Sequence, residues 1–123
     1  MAIVRTFRDL IAWQRSMELA RAIYRETQAM PTTEQYGLTI QMRRAAISIP
    51  SNIAEGHGRQ SRADFLKYLR ISRGSLMELD TQLELATTMS LIPTSDATLA
   101  LLRETDRILQ ALIRSLEQKQ RET

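Results

Sequence analysis

Apolar residues recur along this chain at spacings of three and four almost from end to end, and the breaks between the recurrent stretches are short and polar. The first stretch is Leu10, Trp13, Met17, Ala20, Tyr24 and Thr27, widened by Leu19 and Ile23. It predicts an amphipathic helix over about 8–29 that stops before Pro31, because the residue ahead of a proline avoids the helical region. A polar join, Pro31 to Glu34, leads into Leu38, Met42, Ala45, Ile49 and Ile53, a second helix over about 35–55. Pro50 falls inside it, lacks an N–H and crowds the carbonyl of Ala46. The apolar phase continues across the proline, so one kinked helix is expected, with Gly56 as its C-terminal cap.

The third stretch is the most regular. Ser61 and Asp64 resemble a capping box, and Phe65, Leu69, Ser72, Leu76, Leu79, Leu83 and Ala86 then alternate by four and three, a seam of about three heptads over 62–90. Pro93 to Asp96 breaks the chain before Leu99, Leu102, Leu109, Ile113 and Leu116, which mark a fourth helix over about 96–118. The polar tail, Gln118–Thr123, is expected to fray. Short joins place successive helices antiparallel, so the predicted fold is all-α: one domain over 1–123, an up-down-up-down four-helix bundle with a Pro-kinked second helix.

Composition narrows the chemistry. With 123 residues the chain suffices for one ordinary core, and scarce Gly (4) and Pro (3) argue against a turn-rich β fold. No Cys is present, which removes disulfides, thiolate metal sites and a cysteine nucleophile and makes the cytoplasm the default compartment. The single histidine, His57, excludes sites built from several imidazoles, among them the paired Glu-x-x-His motifs of di-metal bundles. Glu78, Asp80 and Glu84 therefore read as solvated or paired carboxylates and not as metal ligands. No catalytic constellation is recognisable, so neither an enzyme nor a cofactor is expected. No apolar run is long enough to span a membrane. Met17, Met42, Met77 and Met89 read as core filling, and Trp13 and Tyr24 as core or interface aromatics.

Gly56-His57-Gly58-Arg59-Gln60-Ser61-Arg62 admits two readings. As a phosphate cradle it would use glycine backbone, the free N–H groups of the third helix and two arginines. As a plain join it needs only a glycine cap, an N-cap serine and an exposed loop histidine. It lacks the spacing of a P-loop and the strand before one, which favours the plain join.

Charge carries more information. The net is only +3, but it is polarised. Residues 43–73 hold Arg43, Arg44, Arg59, Arg62, Lys67, Arg70 and Arg73 against Glu55 and Asp64, whereas 74–102 hold four acids and no base. On the third helix Arg62, Lys67, Arg70 and Arg73 share one arc of about 140°, with Asp80 and Glu84 further along it. Bases toward the N-terminus and acids toward the C-terminus oppose the helix dipole, so the isolated helix gains nothing from this order. The seven basic residues are the candidate contacts to nucleic-acid phosphates. The alternative is a protein-interaction scaffold in which the same arc meets carboxylates of a neighbouring subunit, and a solvated face is the third possibility.

Ser48-Ile49-Pro50-Ser51-Asn52-Ile53-Ala54-Glu55-Gly56 resembles the signature of the four-helix bundle family of proteins encoded by intervening sequences in bacterial 23S ribosomal RNA genes. Phe7–Gln14, Tyr36–Ala46 and Gly74–Glu84 are similar to further blocks of that family, in the same order. The resemblance implies an up-down-up-down bundle assembled as a homopentamer, and a relationship to the accessory protein of diversity-generating retroelements, a basic pentamer that binds nucleic acid and a reverse transcriptase. It implies no catalytic residues. Five copies would carry a net of about +15 and repeat any basic arc around a ring.

Overall fold

The computed structural model describes residues 3–93 and 95–122, with side chains through residue 119. It contains four helices: α1 (Ile11–Thr27), α2 (Leu38–Gly58), α3 (Arg62–Thr88) and α4 (Asp96–Glu122). Among the described residues there is no strand. The all-α four-helix fold is thus as the periodicity predicts. Each helix packs on two neighbours in the cyclic order α1, α2, α3, α4, and the diagonal pairs make no close backbone approach among the described residues. Pairings run in opposite senses along neighbours, as an up-down order requires: Ser48 meets Ser75 while Gly56 meets Tyr68, and Arg15 meets Glu104 while Glu26 meets Thr98.

Ten large side chains form the dry centre, among them Leu19, Ile23, Met42, Ile49, Ile53, Leu69, Leu76 and Leu109, all without exposure. Three buried hydroxyls in this layer are satisfied within their own helix. Ser16 donates to Trp13 O, Thr27 to Ile23 O and Thr105 to Leu101 O, the back-bonding that lets Ser and Thr sit inside a helix.

Several boundaries differ from the sequence reading. Helix α1 starts at Ile11 and not near residue 8, because Thr6 and Asp9 close a capping box around a short 3-10 turn and Leu10 is extended. The backbone N–H groups of Thr6 and Arg5 hold the Asp9 carboxyl below its usual pKa. Helix α2 starts at Leu38, after a 3-10 turn whose Glu34 accepts from the Leu38 N–H. Its other end lies at Gly58, so Gly56 is not a cap. A Cβ on Gly56 would stand 2.5 Å from the Cβ of Tyr68, and the glycine serves the close approach of α2 to α3. The join to α3 turns instead on Gln60, at φ 57°. Helix α4 continues beyond the predicted end at 118, to Glu122; Thr123, like Thr94 in the preceding break, lies outside the described residues.

Pro50 sits inside one uninterrupted helix. The polar side chains around it donate elsewhere than to Ala46: Asn52 to Ser48 O at 2.8 Å, and Ser72 of α3 to Ile49 O at 2.9 Å. On α3 the seam is buried from Leu69 to Ala86 as predicted, with Leu66 taking the place given to Phe65. The forward arm of the cap forms, Ser61 Oγ accepting from Asp64 N–H. The larger surprise is α1. Its buried positions are Ala12, Ser16, Leu19, Ala22, Ile23 and Thr27, while Trp13, Met17, Ala20 and Tyr24 are half-buried or exposed. The buried stripe of α1 thus combines Leu19 and Ile23 with small residues, and the aromatics Trp13 and Tyr24 fall at its edge or outside it.

Candidate nucleic-acid interface

The seven basic residues singled out by sequence do not form one surface. Arg43 is committed to the fold: its Nε donates to Thr27 Oγ1 at 2.9 Å and its guanidinium lies 4.6 Å from the Tyr24 ring centroid, tying the end of α1 to α2. Arg44 is exposed on the outer side of α2. Arg59 pairs with Glu55 at 2.9 Å and donates to the Tyr68 hydroxyl at 2.7 Å. The Arg59 bond holds the Glu55 carboxyl below its usual pKa, Glu55 holds the Arg59 guanidinium charged, and the nearby Glu55 carboxylate raises the Tyr68 phenol. Arg62, at the start of α3, reaches the Lys119 carbonyl at 3.5 Å, and Lys67 is exposed.

Arg70 and Arg73 decide between the two readings of the arc, and they support neither as first stated. Arg70 pairs with Glu117 at 2.6 Å and Arg73 with Asp106 at 3.1 Å, both on α4 of the same chain. The arc that opposes the α3 dipole is therefore the flank along which α4 packs. Carboxylates of α4 thus account for Arg70 and Arg73 within the chain, while Lys67, Asp80 and Glu84 of the same arc are exposed. These pairs are half exposed, so each is worth about 0–1 kcal/mol and is weakened by salt.

The glycine cradle does not exist. Gly56 and Gly58 are helical, and His57 is in the last turn of α2, half-buried and edge-on to Phe65 at 5.6 Å. Glu78, Asp80 and Glu84 are exposed along α3, and among the described residues no three His, Asp or Glu side chains converge as metal ligands. The hydroxyls of Ser48 and Ser75 bond each other at 2.8 Å, with the Asn52 amide on Ser48, an arrangement with no base to activate either oxygen. Met42 is core as expected, but Met89, at the C-terminal cap of α3, is 58% exposed and fills no core.

Two surfaces emerge that the sequence reading missed. Arg103, Arg107 and Arg114 lie within about 40° of one another on the α4 wheel, and all three are exposed. Among the described residues none of them has an ion-pair partner. Their spacing of four and seven was legible, but the seam beside them drew the reading to Leu102 and Leu109. The second surface is an open groove of about 590 Å³ between α1 and α2. Its apolar wall is Trp13, Met17, Tyr24, Ile47, Pro50 and Ala54, with Arg21 and Arg25 on its rim. Phe7 stands edge-on to Trp13 at 5.3 Å. No described helix is long and apolar enough to cross a membrane.

The family model described as 23S rRNA-intervening sequence protein matches residues 8–114, from the first turn into the last helix. No curated protein matches the chain. The chain belongs to the 23S rRNA-intervening sequence protein family.

Proposed function

We propose that this member of the family is a non-enzymatic bundle that binds RNA or DNA through backbone phosphates, using α4 and the adjoining flank of α3. The observation that carries the reading is the ridge of Arg103, Arg107 and Arg114, three exposed guanidinium groups on one side of α4 without carboxylate partners among the described residues. Arg62 and Lys67 extend the charge on α3, while Arg43, Arg59, Arg70 and Arg73 are already engaged within the chain. Contacts of this kind fix position without reading bases, so selectivity between sequences is weak and dependence on salt is strong. Affinity for a hairpin RNA, followed across a salt series, tests it. The expected log–log slope is steeper than about −2, reduced by one to two in Arg103→Gln/Arg107→Gln. Absence of binding at low salt overturns the reading.

A second reading, an interaction scaffold, is favoured by the α1–α2 groove. The groove is walled by half-buried Trp13 and Met17 and by exposed Ile47 and Tyr24, and apolar patches of this kind mark interaction sites. A second copy of the chain is the proposed occupant, and a homopentamer is the assembly that the resemblance implies. Within the chain Arg70 and Arg73 already have carboxylate partners, so the groove, and not the basic arc, is the contact proposed for this reading. Ile47, 45% exposed, is replaceable without loss of core. Ile47→Glu should reduce the assembly to monomers in a sizing experiment, and an unchanged elution would remove the groove from the interface.

A further inference from the structure

We infer that the cleft between α3 and α4 is a phosphodiester subsite, in which Arg70, Arg73 and Arg114 hold one phosphate and Glu117 is the carboxylate that gives way to it. The inference rests on the nucleic-acid reading above and adds to it a place, a ligand group and a competitor within the chain.

The cleft has a volume of about 360 Å³ and is lined by Arg70, Arg73, Gln110, Ile113, Arg114 and Glu117. Two rigid helices supply these residues. Arg70 and Arg73 are three apart on α3, and Gln110, Arg114 and Glu117 fall at four and three along α4, so each set shares a face. Three guanidinium groups against one lining carboxylate leave the cleft cationic.

The two ion pairs of the cleft differ in kind. Asp106 is 19% exposed and is not among the lining residues. One of its oxygens takes Arg73 Nε at 3.1 Å and the other takes the Gln110 amide at 2.7 Å. That grip on Nε orients Arg73 and leaves both of its Nη groups available, the fork that suits phosphate. Glu117 does line the cleft, and a single bond, from Arg70 Nη2, ties it there. Its carboxylate oxygen occupies the place that an anionic phosphate oxygen would take. Arg70 is 55% exposed and the pair is screened by water, so a strand that brings several phosphates at once can displace Glu117. Arg114 has no ion pair among the described residues and belongs also to the α4 ridge, so a strand following the ridge arrives at the cleft.

The test is a set of affinities for a fluorescein-labelled hairpin RNA, with the full chain, at one low salt concentration. Glu117→Gln should tighten binding about threefold or more, while Glu84→Gln, the same charge removed elsewhere on α3, should give a clearly smaller gain. Adding Arg70→Gln to Glu117→Gln should abolish the gain, because the arginine released is the one that makes the new contact. Arg114→Gln should weaken binding and reduce the salt slope by about one. In a parallel NMR titration with the same RNA, the Gln110 side-chain amide and the Arg73 Nε–H should shift. If Glu117→Gln and Glu84→Gln act alike, or those signals stay fixed while RNA binds, the subsite is wrong and the nucleic-acid reading stands. If the unaltered chain does not bind the RNA, both fall.

Discussion

The two seams of α3 are built on opposite plans. Against α2 the backbones come together: Gly56 lies under Tyr68, Ser72 donates into the α2 backbone, and two serine hydroxyls meet between the helices. Against α4 the buried leucines of both helices share the core, but the outer flank is bridged by the tips of long side chains, Arg70 to Glu117 and Arg73 to Asp106, and a cleft of about 360 Å³ stays open beside them. Small residues let backbones approach and exclude water, whereas long charged residues bridge a gap that water and ions can enter. The first seam is therefore where the fold is specified, and the second is where an anion can bind without disturbing the core.

The most severe break of that contrast is Gly56→Ala. The added methyl would stand 2.5 Å from a Cβ fixed to the α3 backbone, so the helices must separate. Overpacking of this kind costs about 1–3 kcal/mol and outweighs the roughly 1 kcal/mol that alanine contributes to helix propensity. A clear fall in the urea midpoint is expected. Gly74→Ala is the matched control, also inside a helix but with nothing within 4 Å of the new methyl, and it should stabilise by about 0.5–1 kcal/mol. If both substitutions stabilise, α2 and α3 are not closely seated.

These two glycines also show what periodicity can and cannot convey. Apolar spacing located all four helices and most of the α3 seam, because a 3.6-residue period is a property of one element. It misjudged Gly56, whose role depends on Tyr68 crossing above it. On α1 it placed Leu19, Ile23 and Thr27 correctly but not Ala12 and Ser16, small residues buried where neighbours approach closely, while Trp13 is half-buried and Tyr24 exposed. The candidate site follows the same rule. The arc of Arg70 and Arg73 was legible, but not that Asp106 and Glu117 stand opposite, since cross-helix pairing depends on which flank α4 covers. The ridge of Arg103, Arg107 and Arg114 was legible in spacing alone and was passed over for the richer segment 43–73.

On the α4 side a smaller effect is expected. Arg73→Gln and Arg70→Gln each remove one half-exposed ion pair, so the stability change should stay within about 1 kcal/mol and shrink further in high salt. Urea midpoints at low and high salt read this directly. A larger, salt-independent loss would mean that this seam is held as firmly as the other, and the contrast between the two would be lost.

The smallest effect sits where the closed seam reaches water. Glu55 on α2 pairs with Arg59, whose guanidinium also reaches Tyr68 on α3. The Arg59 hydrogen bond lowers the Glu55 pKa in the folded chain. A depressed carboxylate contributes stability that is complete above its unfolded value and disappears as pH falls through the folded one, because the unfolded chain then binds the proton first. The pair is half exposed, and solvent screening keeps that contribution slight. Comparing the acid side of the stability curve with that of Glu55→Gln isolates it from other titrating groups such as Asp9. The parent should lose slightly more stability than the variant as the acid limb is crossed, and the two should run parallel above it. Coincident acid limbs would show that the exposed trio adds nothing to a seam already secured by Gly56 and Ser72.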